Sequence, residues 1–188
     1  ANSEEVKARI KKFYRRDAQV IYPPVDPAIN YQSSTAEIAD FKFKNYFLIV
    51  SQLYPHKNID LAIETFKLLD LNLVIVGEGS EKARLKKLIG DSPNIKLLGF
   101  ISDEKLACFY QNCLAYLICN EEDLGISPIE AMSFGKPVLA YRKGGATETV
   151  LEGATGEFFD KLEQNEVARA AESISRKIKN NYYNNAEI

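Results

Sequence analysis

Short, almost unbroken apolar runs recur along the chain at Tyr46-Phe47-Leu48-Ile49-Val50, Leu73-Val74-Ile75-Val76, Leu114-Ala115-Tyr116-Leu117-Ile118 and Pro137-Val138-Leu139-Ala140-Tyr141. Runs of this length without polar alternation predict strands covered on both faces. Between them the spacing lengthens to that of helices, as at Ile59, Ala62, Ile63, Phe66 and Leu69. A charged helix is predicted from about Glu81 to Ile89, others over Asp103 to Gln111, from near Ile126, and over Ala146 to Val150, and a closing one over Asn165 to Lys179. Asn94 to Phe100 and Gly156 to Phe159 add two further strands. Upstream, residues 3 to 16 read as a helix capped by Ser3, Ala18 to Tyr22 as a short strand, and Pro23 to Pro27 as a stiff connector.

Strands alternating with helices in this way indicate right-handed βαβ crossovers. The predicted class is α/β: a doubly wound, Rossmann-like parallel sheet of about six strands, occupying residues 41 to 180. Residues 1 to 40 form a helix, a strand and a connector, and 181 to 188 a tail. In such sheets ligands sit beyond the carboxyl ends of the strands, so the loops at 51–58, 77–80, 99–102, 119–127 and 142–146 are expected on one rim.

Composition narrows the function classes. With 188 residues, 46% of them hydrophobic, the chain can bury one sizeable core. A net charge of −2, spread through the sequence, lacks the basic footprint of a nucleic-acid binder. Cys108, Cys113 and Cys119 are odd in number and carry no metal-type spacing, which suits core positions in a reducing, cytoplasmic setting. No apolar run approaches the roughly 20 residues needed to cross a bilayer. The opening Ala1-Asn2-Ser3-Glu4-Glu5 reads as cut from something longer, with an upstream domain expected.

The densest candidate chemistry lies in Glu121-Glu122-Asp123-Leu124-Gly125-Ile126-Ser127-Pro128-Ile129-Glu130. Ser127 as an N-cap, Pro128 at the first helical position and Glu130 at the third describe a helix start. Its free amides, with Gly125 permitting close approach, would attract a phosphate. Glu122 and Glu130 flank them, and a carboxylate can hold adjacent sugar hydroxyls. Phosphate plus two sugars describes a nucleotide sugar. Glu130 is read equally as the return half of a capping box, and Glu122 also as a solvated loop charge. Lys57, a cation ahead of a helix, is either a phosphate partner or an exposed lysine. Gly77-x-Gly79 and Gly144-Gly145 follow strands, where a turn or a close ligand explains them equally. His56, the sole histidine, sits beside Pro55 in a polar loop and supports neither a Ser-His-Asp set nor a metal site.

These residues occur in an order that resembles a known family. Ser51-x-Leu53 with Lys57, Val76-Gly77-x-Gly79, Leu98-Gly99-Phe100, Glu122-x-x-Gly125-Ile126-x-x-x-Glu130-Ala131-Met132, Gly135-Lys136-Pro137-Val138, Gly144-Gly145 with Glu148, and Thr155-Gly156 look like the C-terminal, donor-binding domain of retaining GT-B glycosyltransferases, family four, mannosyltransferase-like. Val20 to Asp26 is similar to that family's interdomain crossing.

The resemblance implies roles position by position. Glu130 would hold the ribose and Glu122 would face the transferred hexose, while Lys57 and the amides near Leu124, Gly125 and Ile126 would hold the diphosphate. Gly77, Phe100 and Ile101 would line the base pocket, and Gly79 and Gln52 would stand with them among the donor-binding residues. The family places an arginine where this chain has Gln52, which removes a fixed charge from the diphosphate site. No metal or cofactor is required, and a guanosine-diphosphate mannose donor is favoured over a uridine-linked hexose. The glycan or lipid-linked acceptor would bind the missing N-terminal domain, and peripheral membrane attachment through it stays open. These 188 residues alone are expected to bind donor but transfer little sugar. Two rivals stand: a non-catalytic nucleotide-sugar-binding or regulatory module, motivated by Gln52, and a nicotinamide-dependent dehydrogenase, motivated by Gly77-x-Gly79. The latter lacks the third glycine, position 82 being lysine.

Overall fold

The computed structural model describes residues 1–25, 41 and 43–183. Most of the predicted connector and loop before Asp40, and most of the tail, lie outside the described residues. The strands are β1 (Tyr46–Val50), β2 (Asn72–Val76), β3 (Ile95–Gly99), β4 (Ala115–Ile118), β5 (Val138–Tyr141) and β6 (Gly156–Phe159). The helices are α1 (Glu4–Tyr14), α2 (Ile59–Phe66), α3 (Lys82–Ile89), α4 (Asp103–Asn112), α5 (Ile126–Ser133), α6 (Ala146–Thr149) and α7 (Gln164–Lys179).

All six strands pair in parallel in the order β3-β2-β1-β4-β5-β6. Strand order reverses between β1 and β4, the position where doubly wound sheets open a crevice. The unbroken apolar runs are explained by burial on two sides. Phe47 and Ile49 of β1 face a core shared with Phe66 of α2 and Val167 and Ile174 of α7. Tyr46 and Leu48 face the opposite core, with Phe109 and Tyr110 of α4 and Met132 of α5. Alternate side chains of one strand thus serve two cores, and neither tolerates a polar residue.

Residues 18–22 are not a strand. They lie alongside the start of α1, with the Ala1 ammonium donating to the Gln19 carbonyl at 2.8 Å and the Ile21 amide to the Ala1 carbonyl at 2.9 Å. Val20, Ile21 and Tyr22 have strand propensity, but no strand edge among the described residues pairs with them.

Helix α1 is capped as predicted, Ser3 Oγ accepting from the Val6 amide at 3.1 Å. Its stripe is not covered: no α1 residue is buried and Phe13 is 69% exposed. What anchors it is Glu148, whose two carboxylate oxygens accept from the Glu4 and Glu5 amides at 2.8 Å each. Partial burial pushes the Glu148 pKa up, but the two amides and the Tyr22 hydroxyl outweigh it and hold the group below its ordinary 4.5. A carboxylate with a lowered folded-state pKa stabilises the fold above the unfolded value, and that stabilisation is lost as pH falls through the lowered one. We expect α1 to loosen from α6 only below about pH 4.5. The check is an NMR titration of the Glu4 and Glu5 amides, which should move together with an acid midpoint that disappears in Glu148→Gln.

Candidate functional site

The loop after β1 turns through a 3₁₀ segment, Pro55–Lys57, and then through Asn58 in the left-handed region at φ 50°. Asn58 tolerates that conformation and uses its side chain, Nδ2 donating to the Cys119 carbonyl at 2.9 Å. This bond ties the end of β1's loop to the end of β4, and it aims Lys57 across the switch point. There Lys57 Nζ meets Glu122 Oε1 at 2.7 Å, with the two side chains 15% and 26% exposed. The pair lines a cavity of about 220 Å³ together with Gln52, Gly125, Ile126 and Ser127.

Helix α5 begins at Ile126, as its sequence suggests, but its cap is a different residue. Gly125, at φ 83° and ψ 94°, is the N-cap and offers no side-chain bond. Ser127 is therefore the second helical residue and Pro128 the third, so the predicted Ser127 cap does not form. The physical reason is conformational: glycine enters the left-handed region at little cost, which places the cap two residues before Ser127. The amides of Ile126 and Ser127 find no acceptor among the described residues and border the cavity. Uncapped first-turn amides beside a lysine form an anion-receptive corner.

Glu130 does not close a capping box either. Its Oε2 accepts from the Tyr110 hydroxyl at 2.8 Å, joining α5 to α4. Tyr116 lines the cavity, Tyr110 packs beside it at 6.1 Å between ring centroids, and the Ser127 hydroxyl lies beside both phenols. Burial is the main cause that drives both phenols well above the ordinary 10, so they act as neutral hydrogen-bond donors. Tyr116 donates to the Val50 carbonyl at 2.8 Å, fixing the last residue of β1 at the cavity floor. Sequence reasoning missed both tyrosines. The available signal was a phenol inside an otherwise apolar run, which demands a partner when buried.

A second, wider cleft of about 540 Å³ adjoins the first, sharing Ser51, Gln52 and Ser127 with it. Gly77, Gly79, Phe100 and Ile101 line it, as does Tyr54. Phe100 is 78% exposed, an open ring beside a groove. The two glycines have an internal cause. A Cβ on Gly77 would lie 1.8 Å from the Ser51 carbonyl oxygen, and one on Gly79 would lie 2.4 Å from that of Leu53. The chain after β2 presses directly on the chain after β1, and that contact shapes the cleft. The structure thus brings together Gln52, Lys57, Glu122, Gly125 and Ile126 in one cavity and Gly77, Gly79, Phe100 and Ile101 in its neighbour. Leu124, 3% exposed, and Glu130 line neither.

His56 is exposed and stacked on Tyr54. Among the described residues no cluster of His, Cys, Asp or Glu could hold a metal ion, and no helix is long and apolar enough to cross a membrane. Burial pushes the thiols of Cys113 and Cys119 up to about 12. They are core groups rather than nucleophiles at neutral pH.

A six-stranded parallel doubly wound domain, with an anion-receptive corner and an acid–lysine pair at its switch point, belongs to the open α/β class whose ligands sit beyond the carboxyl ends of the strands. The chain is a member of the glycosyl transferases group 1 family, whose profile it matches over residues 33–187. It is 28% identical over 168 residues to an uncharacterized glycosyltransferase of Methanocaldococcus jannaschii, covering 88% of this chain and 46% of that protein. It is 32% identical over 147 residues to the O-antigen chain mannosyltransferase RfbU of Salmonella typhimurium, covering 73% of this chain and 40% of that one. HepE of Anabaena, solved in complex with UDP and glucose, matches with a TM-score of 0.78 at 26% identity, over 96% of this chain and 53% of that one. The fold is that of GT-B glycosyltransferases. This chain spans about half the length of these proteins or less.

Proposed function

We propose that this chain is the C-terminal, donor-binding domain of a retaining glycosyltransferase of family four. It would move a hexose, with mannose favoured, from a nucleoside diphosphate to a glycan or lipid-linked acceptor. The observation that carries the reading is the Lys57–Glu122 pair at 2.7 Å beside the uncapped amides of Ile126 and Ser127. On donor binding Lys57 exchanges Glu122 for the diphosphate, and the freed carboxylate accepts from hexose hydroxyls. Lys57 and the α5 amides then share the charge that grows on the diphosphate as its bond to the anomeric carbon breaks. Retention requires the acceptor hydroxyl to enter from the face the diphosphate leaves. Gly77, Gly79, Phe100 and Ile101 receive the base in the wider cleft. The scheme uses the Lys57 ammonium and the α5 amides in place of a metal. The acceptor is held by a further domain, a role consistent with the bare stripe of α1.

Titration calorimetry of the full protein with guanosine-diphosphate mannose and uridine-diphosphate glucose tests the reading. Saturable binding is expected, tighter for the guanosine donor. Tighter binding of the uridine donor would overturn the sugar assignment, and binding of neither would overturn the function. In this reading the second oxygen of Glu130 serves the ribose while the first holds Tyr110. Glu130→Ala should then weaken nucleotide binding by about 1–3 kcal/mol. A lowered melting temperature with unchanged affinity would restrict Glu130 to bracing α4 against α5.

One observation favours a second reading, a binding module without turnover. Among the described residues Lys57 is the only cation lining the smaller cavity and Glu122 neutralises it, with the neutral Gln52 alongside. Release of nucleoside diphosphate in the presence of acceptor separates the two, since the module would bind donor and release none.

A further inference from the structure

Helix α1 has no buried residue of its own, yet its N-cap Ser3 is fully buried against the domain. Two acids hold it there. Arg9 Nη1 donates to Asp123 Oδ1 at 2.5 Å, and Glu148 takes the amides of Glu4 and Glu5 and, at 3.0 Å, the Tyr22 hydroxyl. Asp123 lies on the loop after β4 and Glu148 on α6, directly after the loop that follows β5, and these two loops nest without slack. The Gly145 amide donates to the Glu122 carbonyl at 2.8 Å, and Glu122 and Gly144 form a parallel bridge. A Cβ on Gly144 would lie 2.3 Å from the Glu122 carbonyl oxygen, and one on Gly145 would lie 2.3 Å from Leu124 Cα. Backbone packed this closely moves as a unit, so displacement at Asp123 or Glu148 reaches Glu122.

We propose that Asp123 and Glu148 are positioning residues of the donor site: by clamping α1 they fix the loop that sets Glu122 against Lys57. The inference rests on the reading of that cavity as the donor pocket. The Arg9–Asp123 pair is about half exposed, 47% and 55%, and such pairs add little to stability. Its consequence is orientation. Glu148 accepts from two successive amides, which fixes the direction in which α1 leaves the domain, and Arg9 fixes the helix a turn and a half further on. Phe13 and Tyr14, 69% and 74% exposed, project from the free end.

The test compares the full protein with Arg9→Ala, Glu148→Gln and the exchanged pair Arg9→Asp with Asp123→Arg. Amide hydrogen exchange over residues 121–126 is expected to accelerate about five- to tenfold in the two single-site variants and to return toward the parent rate in the exchanged pair. Affinity for guanosine-diphosphate mannose should fall about five- to tenfold in the same variants, with affinity for guanosine diphosphate alone changing less. Faster exchange confined to residues 4–14, with 121–126 unmoved, would overturn the proposal. So would single-site variants with parent affinity for the sugar nucleotide. If the parent protein binds no nucleotide sugar, the donor-pocket reading fails, and the exchange rates still decide whether the clamp orders the loop.

Discussion

Lys57→Ala is expected to slow release of nucleoside diphosphate from the sugar donor by roughly 100- to 1000-fold in the full enzyme. The lysine is 15% exposed and already oriented across the cavity, so its charge acts in a partly desolvated site where it counts for more than in water. With Gln52 neutral, no second side-chain cation among the described residues lines the cavity to take over. Truncation also leaves the Glu122 carboxylate, 26% exposed, without its counter-ion, which turns an anion-receptive corner into a repulsive one. Lys57→Arg keeps the charge and should retain most of the rate. Single-turnover measurement at saturating donor, with a melting curve as control for folding, reads the effect. A fall of less than about threefold would remove Lys57 from the charge-stabilising role.

Gly77→Ala is expected to destabilise the fold by about 2–4 kcal/mol. Two causes add. The residue sits at φ +142°, and its Cβ would lie 1.8 Å from the Ser51 carbonyl oxygen, a backbone atom that cannot swing aside. For a domain of this size the melting temperature should fall by about 5–15 °C. Gly90→Ala is the matched control: its φ is +57°, but the nearest atom to the new Cβ is 3.9 Å away. It should cost about 1 kcal/mol, the left-handed penalty alone. Equal losses at the two positions would show that conformation, not the pressing of the β2 loop on the β1 loop, makes Gly77 necessary. In the Gly77 variant the cleft lined by Gly79 and Phe100 should widen, and nucleotide affinity should drop with stability.

Several features were legible from residue order because their cause is local. Tyr46 to Val50 and Leu73 to Val76 are strands by pattern, since a helix on each sheet face removes polar alternation. Ser3 caps α1 as its position suggests, the cap being a three-residue affair. The loops after β1, β2 and β4 converge because parallel strands put their carboxyl ends on one side. The misreadings have non-local causes. Ser127 looks like a cap until Gly125 takes the left-handed conformation before it. Glu130 looks like Ser127's return partner, but a tyrosine 20 positions away reaches it first. Val20 to Tyr22 has the side chains of a strand, whereas pairing requires an edge that sequence composition does not supply.

Residue order by itself determined the α/β class, the parallel sheet and the side of it on which chemistry gathers, because hydrophobic period and strand–helix alternation are written locally. Only the tertiary structure decided which side chains meet there. It joined Lys57 to Glu122 across a gap of 65 positions, gave Glu130 to Tyr110, and set Glu148 on the start of α1. Such pairings depend on where the sheet reverses and how closely its loops nest, and those are properties of the packed backbone.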